Sequence, residues 1–284
     1  MALAALSGDE QLVIFVQLCN VLDPGVAVAF SSASNELREL TQAPRQQLQA
    51  DHEAAAALGR KAGKGSCKEL REAKKIWPQR KGLSSDDLAL LGTLGSVLPA
   101  LEGLRLNEPA AGPDGVPRLA EKLGAGALPA VTRLDLHNTH VGVTGASALA
   151  AALDRGALPR LKRLVLFNAA IGDAGLVALA PALRRRPALE VLDLVRNPFG
   201  DEGLAALVAP PPAAGAPPPP TEGLAKLKGL GLRDTQITDA GCATLASALD
   251  SGALPALKYL NLNGISASAA ARATVRRDSL LVVV

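Results

Sequence analysis

The chain has 284 residues, of which 48% are hydrophobic and 20% are charged, with a formal net charge of +3. This composition is typical of a globular chain and excludes a largely disordered one, which would be poor in apolar residues. Aromatic residues make up only 2%, so the core has to be built from Leu, Val and Ala.

The three cysteines, Cys19, Cys67 and Cys242, are odd in number and far apart. This spacing gives neither a disulfide framework nor a metal site, and it favours a reducing compartment. We therefore expect the cytoplasm, with the nucleus as the alternative, and neither metal nor cofactor.

The N-terminal residues do not have the pattern of a targeting or membrane segment. Asp9 and Glu10 precede the first long apolar run, where a secretory signal would carry basic residues. Residues 12–30 are largely apolar, but Asn20 and Asp23 interrupt them. An Asp near the centre of a membrane span costs roughly 2.5–3.5 kcal/mol, so we expect no membrane partner.

Residues 1–58 are predicted to form a helical segment. A first helix should run from about Glu10 to Leu22, followed by the turn Asp23-Pro24-Gly25. A second helical stretch should follow, with Pro44 ending it.

Residues 59–72 are predicted to be a basic linker, and the basic run itself covers residues 60–81. That run has nine basic residues and two acidic ones, a pattern that suits nucleic acid, an acidic protein, an import receptor or simply a solvated junction. Trp77 is its one aromatic residue, so base stacking is poorly supported and we expect no nucleic-acid partner. Within it, residues 59–66 imitate a phosphate-binding loop without its spacing, which excludes a nucleotide site.

Residues 73–284 repeat one pattern. Each copy begins with apolar residues spaced L-x-x-L-x-L, passes through a turn with an apolar residue and Gly, and ends in an Ala/Leu-rich stretch. This predicts a short buried strand, a turn and a helix in about seven units. The leading strand residues recur every 28 or 30 residues, and they are Ile76, Leu104, Leu134, Leu164, Leu192, Leu230 and Leu260.

One interval, between Leu192 and Leu230, is 38 residues long and contains the Pro-rich insertion 209–220. Removing the insertion restores the period, so we expect a tolerated loop; a polyproline ligand is the alternative. The apolar residues 280–284 are expected to cover the last repeat.

This repeat resembles leucine-rich repeats of the ribonuclease-inhibitor type. The resemblance implies an α/β solenoid with parallel strands on its concave face and helices on its convex face. It also implies an Asn three residues after the second strand leucine, which bonds neighbouring backbones. Only Asn197 matches; Thr139 and Thr235 can substitute and Ala169 cannot, so at that turn we expect backbone groups and water to carry part of the link.

An Asp recurs near the start of three predicted helices, two residues before a Gly. A repeated acidic residue invites a catalytic interpretation, but a carboxylate there accepts free N–H groups at a helix start, which makes capping the better prediction. The three residues are Asp173, Asp201 and Asp239.

Within the N-terminal helices, a run of apolar positions resembles an F-box. The matching residues are Leu12, Phe15, Leu18, Leu22-Asp23-Pro24 and the stretch Ser34 to Leu40. The opening Leu-Pro of that motif is absent, and Leu37 stands where a Trp is common. A helical cap for the first repeat is the alternative interpretation.

Side chains that flank the strand leucines point to the concave face. This surface mixes Arg and aromatic residues, the types enriched at binding hot spots, with apolar ones. The predicted partner-binding residues are Arg105, Arg133, Asp135, His137, Arg163, Phe167, Asp193, Arg233, Tyr259 and Asn261.

The sequence predicts no catalytic residue. Asp135 and His137 share a face, but a lone pair on an open surface suits a polar contact better than acid–base chemistry. We predict a non-catalytic scaffold that binds a protein partner and no small-molecule substrate. Its sharper form is an F-box-like adaptor that holds a eukaryotic ubiquitin-ligase linker subunit; the alternative is a regulatory repeat protein such as a small-GTPase activator or an enzyme inhibitor.

Overall fold

The computed structural model describes residues 6–78, 80–208 and 223–284. The chain divides into two compact units. Unit 1 comprises Met1–Ala73 with Val97–Ala100, and unit 2 comprises Lys74–Ser96 with Leu101–Val284. The Pro-rich insertion at 209–220 lies outside the described residues.

The described part of unit 1 is built from helices joined by short turns. Its helices are α1 (Gly8–Leu18), α2 (Gly25–Ser31), α3 (Asn35–Leu40), α4 (Gln42–Lys61) and α5 (Cys67–Glu72). The side chains of Ser7, Ser34 and Ser66 each accept a backbone N–H in the first turn of the helix that follows, which satisfies one free donor per helix.

Two predictions for this unit were wrong in detail. Pro44 does not end a helix but lies in the first turn of α4, where its missing N–H has no intrahelical partner to lose. The linker predicted at 59–72 contains the end of α4 and all of α5, because Cys67 and Leu70 bury their side chains.

The described part of unit 2 is one eight-stranded parallel sheet whose strands follow the order of the sequence. The strands are β1 (Lys75–Ile76), β2 (Gly103–Leu106), β3 (Arg133–Leu136), β4 (Arg163–Val165), β5 (Val191–Asp193), β6 (Gly229–Gly231), β7 (Tyr259–Asn261) and β8 (Leu281–Val283).

Helices alternate with these strands. They are α6 (Ser85–Thr93), α7 (Gly115–Lys122), α8 (Gly142–Asp154), α9 (Asp173–Arg184), α10 (Asp201–Val208), α11 (Asp239–Asp250) and α12 (Ala269–Thr274), with short 3₁₀ turns at Leu94–Ser96 and Pro109–Ala111. Successive helices pack on one another as successive strands pair. The predicted α/β solenoid is confirmed.

The predicted repeat register is confirmed strand by strand. Leu104 pairs with Leu134, and Leu192 pairs with Leu230 despite the long interval between them. At the end of the sheet β8 pairs with β7, as the apolar C-terminal residues predicted. The leading residues are at most 2% exposed, so they form the continuous core of the solenoid.

The turns after the strands are tied together by buried side chains. Asn197 Oδ1 accepts hydrogen bonds from Ala169 N at 3.1 Å and Ile171 N at 3.0 Å. Its Nδ2 donates to the carbonyl oxygens of Leu166 and Leu194 at 2.6 and 2.8 Å. The predicted Asn link between neighbouring backbones is therefore confirmed.

A second link of this kind was not predicted. The fully buried Glu108 accepts hydrogen bonds from Lys81 N and Leu83 N, both at 3.1 Å. Where Ala169 lacks a polar side chain, its own carbonyl oxygen accepts the N–H groups of Val141 and Gly142 at 2.9 and 3.1 Å. Backbone groups close this turn as expected.

The recurring Asp residues do accept hydrogen bonds at helix starts, but the helix belongs to the next repeat. Asp173 Oδ1 accepts from Gly200 N at 2.9 Å and Gly203 N at 2.7 Å, which begin α10. Asp201 accepts from Thr238 N at 2.9 Å in the same way. A Cβ at Gly203 would lie 2.9 Å from Asp173 Oδ1, so the recurring Gly makes room for the preceding repeat's carboxylate.

Removing the Asn197 side chain tests these links. We expect Asn197→Ala to lower the free energy of unfolding by about 2–4 kcal/mol, because it leaves several buried backbone groups without partners. The measurement is urea unfolding followed by circular dichroism. Asn263→Ala, at an exposed turn position whose side chain makes no hydrogen bond with a described residue, is the control; equal losses in both variants would contradict the assignment.

Candidate functional site

The strand face of unit 2 is organised around a buried carboxylate. Asp135 is fully buried on β3, and its Oδ2 lies 3.1 Å from Arg105 Nε and 2.6 Å from Arg133 Nη2. Arg105 reaches it because residues 105 and 135 are paired in the parallel register of β2 and β3. One carboxylate therefore holds two guanidinium groups in place.

The electrostatics of Asp135 follow from these contacts. Burial alone would raise the pKa of its carboxyl, but the contacts with His137, Arg133 and Arg105 outweigh burial and hold the pKa well below its ordinary range. The group is therefore ionised at physiological pH. Its carboxylate is fully buried and positions the two arginines, so it is these arginines, not Asp135, that the face exposes.

The arrangement also weakens the acid–base alternative for Asp135 and His137. His137 Nε2 lies 3.8 Å from Asp135 Oδ2, beyond hydrogen-bond distance. The His137 ring instead packs against Phe167, with ring centroids 5.7 Å apart and a tilt of 38°. Arg196, which was not predicted, lies over the Phe167 ring, with its Cζ 5.4 Å from the ring centroid.

Trp77 belongs to this face and was missed as a site residue. It is 43% exposed, with Arg105 Cζ 5.2 Å and Lys75 Nζ 5.0 Å from its ring centroid. The signal was present in the register, because Trp77 follows Ile76 as Arg105 follows Leu104. In the sequence this equivalence is masked by the basic residues on both sides of Trp77.

A shallow hollow of about 370 Å³ opens further along the same face. It forms where β6 presents Gly229 and Gly231, which have no side chains, between larger neighbours. Four predicted site residues meet here, together with Val191, Val195 and Lys228: they are Arg163, Asp193, Tyr259 and Asn261. Tyr259 is 40% exposed at its edge.

Arg233 lies apart from both groups. It is exposed in the turn after β6, where its Nε is 3.2 Å from Asp234 Oδ2. The same carboxylate oxygen lies 3.3 Å from Arg196 Nε. The predicted residues thus form a basic and aromatic group on β1–β4, a hollow on β4–β7, and Arg233 at the margin.

Other reactive groups do not assemble into a site in the described part of the chain. Cys242 is fully buried, and burial raises the pKa of its thiol. Among the described residues, no three His, Cys, Asp or Glu side chains are grouped as a metal site requires. The described helices also include none with the length and apolarity needed to cross a membrane.

Comparison with known proteins agrees with the repeat architecture. The family described as Leucine Rich repeat matches residues 158–180 and 187–208. No curated protein sequence matches the chain.

Several solved structures are similar to the chain at low identity. Internalin C2 from Listeria monocytogenes is 21% identical, with a TM-score of 0.40 over 81% of this chain and 91% of that one. An internalin (inlF) from the same species is 14% identical, with a TM-score of 0.35 over 69% of this chain and 49% of that one, so the chain spans about half of its length. The Rad7 and Elc1 complex in yeast gives 15% identity and a TM-score of 0.35, over 89% and 87%.

The role of Asp135 can be tested through pH. Because its folded-state pKa is depressed, its stabilising contribution is present above the unfolded pKa of about 3.9 and is lost as pH falls through the folded value. We expect Asp135→Asn to lower the free energy of unfolding by about 1–3 kcal/mol at pH 7, because partly buried guanidinium donors lose their charged acceptor. This loss should shrink below about pH 4. Urea unfolding at pH 7 and pH 3 measures it.

The exposed Asp278 provides the matched control, because Asp278→Asn removes a carboxylate that pairs with no described residue. The ion-pair account would be contradicted if Asp135→Asn lowered the free energy of unfolding equally at both pH values. It would also be contradicted if that loss were no larger than the loss in the control.

Proposed function

We propose that this leucine-rich-repeat solenoid is a non-catalytic scaffold that binds a protein partner on its concave strand face. Stacked repeats present extended concave surfaces that are generally used for protein–protein interaction. The observation that carries the proposal is the exposure of two aromatic side chains, Tyr259 on β7 at 40% and Trp77 directly after β1 at 43%. Large aromatic side chains presented to water by a sheet are typical of binding hot spots.

The finer assignment to the ribonuclease-inhibitor type is part of this proposal. It is supported by leading residues that recur every 28 or 30 residues outside the one long interval. It is also supported by full helices of 13, 12 and 12 residues in α8, α9 and α11. Such helices fill the convex side of a long repeat.

The test of the scaffold proposal is affinity capture from a eukaryotic cell lysate with the full chain, followed by quantitative mass spectrometry. We expect the double variant Trp77→Ala/Tyr259→Ala to lose at least about 90% of its specifically captured protein, since each hot-spot truncation costs about 2 kcal/mol or more. The control is Val143→Ala/Val177→Ala, which truncates side chains 49% and 38% exposed on the helices α8 and α9. Equal capture by both variants would contradict concave-face binding.

A second candidate function is that of an F-box-like adaptor, and it is favoured by the surface of unit 1. Three apolar positions of the motif, Phe15, Leu22 and Leu37, are buried within the unit. What stays exposed is an apolar patch on α1 made of Val13 and Val16, which are 56% and 58% exposed and, three residues apart, share one helix face. Such a patch suits an apolar partner surface, and here we propose a ubiquitin-ligase linker subunit. The competing proposal is a cap for the first repeat.

The two proposals for unit 1 predict different titrations. As an adaptor, the full chain binds the purified linker subunit in isothermal titration calorimetry, and Val13→Asp/Val16→Asp weakens the binding at least about 30-fold by placing charge in an apolar contact. Val143→Asp/Val177→Asp on unit 2 is the matched control. Absence of binding by the unmodified chain would contradict the adaptor role and leave the cap.

A further inference from the structure

The strand face of unit 2 changes in character along the sheet. From β1 to β4 it carries four basic side chains, and its one carboxylate there is the buried Asp135; the basic residues are Lys75, Arg105, Arg133 and Arg163. From β5 to β7 it is recessed around Gly229, and the recess is lined by Val191, Val195 and Tyr259 beside the polar Asp193 and Asn261. One end of the face therefore favours negative charge, and the other offers a recess with an apolar part.

The arginines at the basic end are held in position and keep hydrogen-bond donors that a ligand can use. Asp135 binds Arg105 only through Nε, and Trp77 supports the flat guanidinium at 5.2 Å. The two terminal nitrogens of Arg105 hydrogen-bond to no described residue. Since Asp135 balances only one of the two charges of Arg105 and Arg133, this group keeps a net positive charge whose position is already fixed.

Arg163 marks the boundary between the two ends. It forms no ion pair with any described residue, and its Nε is buried without a hydrogen-bond partner. A buried donor without a partner is costly, and Arg163 also lines the hollow. An incoming carboxylate at this point would satisfy the guanidinium at the edge of an apolar recess.

The hollow is not a steric requirement of the fold. A Cβ at Gly229 would meet the Val191 methyl groups at 3.8 Å, which is ordinary contact. A side chain is therefore sterically possible at this position, and its absence leaves the recess between Val191, Val195 and Tyr259 open. Its lining suits a large apolar side chain.

We infer that the strand face binds an extended acidic peptide segment of a partner protein. Its carboxylates pair with Arg105, Arg133 and Arg163, and one large apolar side chain enters the hollow at Gly229. Neighbouring strands lie about 4.8 Å apart and an extended peptide advances about 3.3 Å per residue. Arg163, Arg133 and Arg105 lie two, three and four strand steps from Gly229, which places the acidic residues roughly three to six positions from the apolar one.

This inference rests on the proposed scaffold function and specifies its ligand. A nucleic acid suits the face less well, because Lys75 and Arg105 already lie over the Trp77 ring and the hollow carries Asp193 beside its apolar lining. A phosphate backbone crossing β5 would meet that carboxylate. Charge and shape together favour an acidic peptide with an apolar anchor.

The test begins with selection of a random 12-residue peptide library on the immobilised full chain. Enriched sequences are synthesised with a fluorescein label, and their Kd is measured by fluorescence anisotropy. We expect Asp and Glu to be enriched roughly three to six positions from a Leu, Ile, Phe or Trp. We further expect Gly229→Leu and Arg163→Glu each to raise the Kd at least about 30-fold, as loss of a hot spot does.

Matched controls make the same changes elsewhere in unit 2. Gly124→Leu adds the same side chain at an exposed position with nothing within 4 Å, and Arg160→Glu reverses an exposed charge. Both should change the Kd by less than about 3-fold, a small effect for a residue outside the contact. Arg163→Gln is measured beside Arg163→Glu, and unfolding by urea verifies that each variant is folded.

The outcomes separate this inference from the proposed function. Concave-face binding by peptides without acidic enrichment would overturn the acidic ligand while leaving the scaffold intact. Selected peptides whose Kd is unchanged by all the concave variants would contradict both. Three further results would each overturn the inference. The first is that no peptide is enriched. The second is that a fluorescein-labelled single-stranded RNA binds more tightly than the peptides and loses its binding in Arg163→Glu, and the third is that light scattering shows a dimer that Gly229→Leu abolishes.

Discussion

The parallel pairing of one leading apolar residue per repeat governs the rest of unit 2. From Ile76 to Leu260 these residues are aligned strand on strand and buried. Because side chains alternate along a strand, burying this column places the residues before and after it on the opposite face in every repeat. A slip of one residue would turn Arg133 and Asp135 into the apolar core in place of Leu134. Arg105 meets Asp135, and Trp77 meets Arg105, only because the register holds.

Polar contacts between successive repeats secure that register. Asn197 and Glu108 each satisfy N–H groups of the preceding turn, whereas Asp173 satisfies those of the following helix. Each contact joins nearest neighbours, which is the way a solenoid gains its stability. The strand face is consequently rigid, and a ligand that binds there meets side chains already held in position.

The architecture could be predicted from the sequence because apolar residues that recur at one period must be buried side by side, one per repeat. It was also sufficient for Asn197, whose link depends on a fixed place in the repeat. Glu108 was not predicted because it lies one residue before the position where the repeat places Asn, and its longer side chain spans the difference. That Asp173 caps the next helix could not be read from its own helix, since the interaction spans two repeats.

The site was harder to predict than the fold for the same reason. Which side chains lie on the concave face follows from alternation along a strand, but their exposure depends on neighbours 30 residues away. Asp135 was placed on the correct face and yet is buried by Arg105 and Arg133. The hollow exists because Gly229 and Gly231 lie between Val191 and Tyr259, so its shape depends on three repeats together and on no single one.

Site-specific photocrosslinking in living cells tests the central claim, that partners bind the strand face, most directly. Benzoylphenylalanine would replace Tyr259 on the strand face in one variant and Val177 on the helix α9 in another, two positions of similar exposure at 40% and 38%. The account predicts a discrete crosslinked protein adduct from position 259 and none from position 177. Adducts from position 177 with none from position 259 would contradict it.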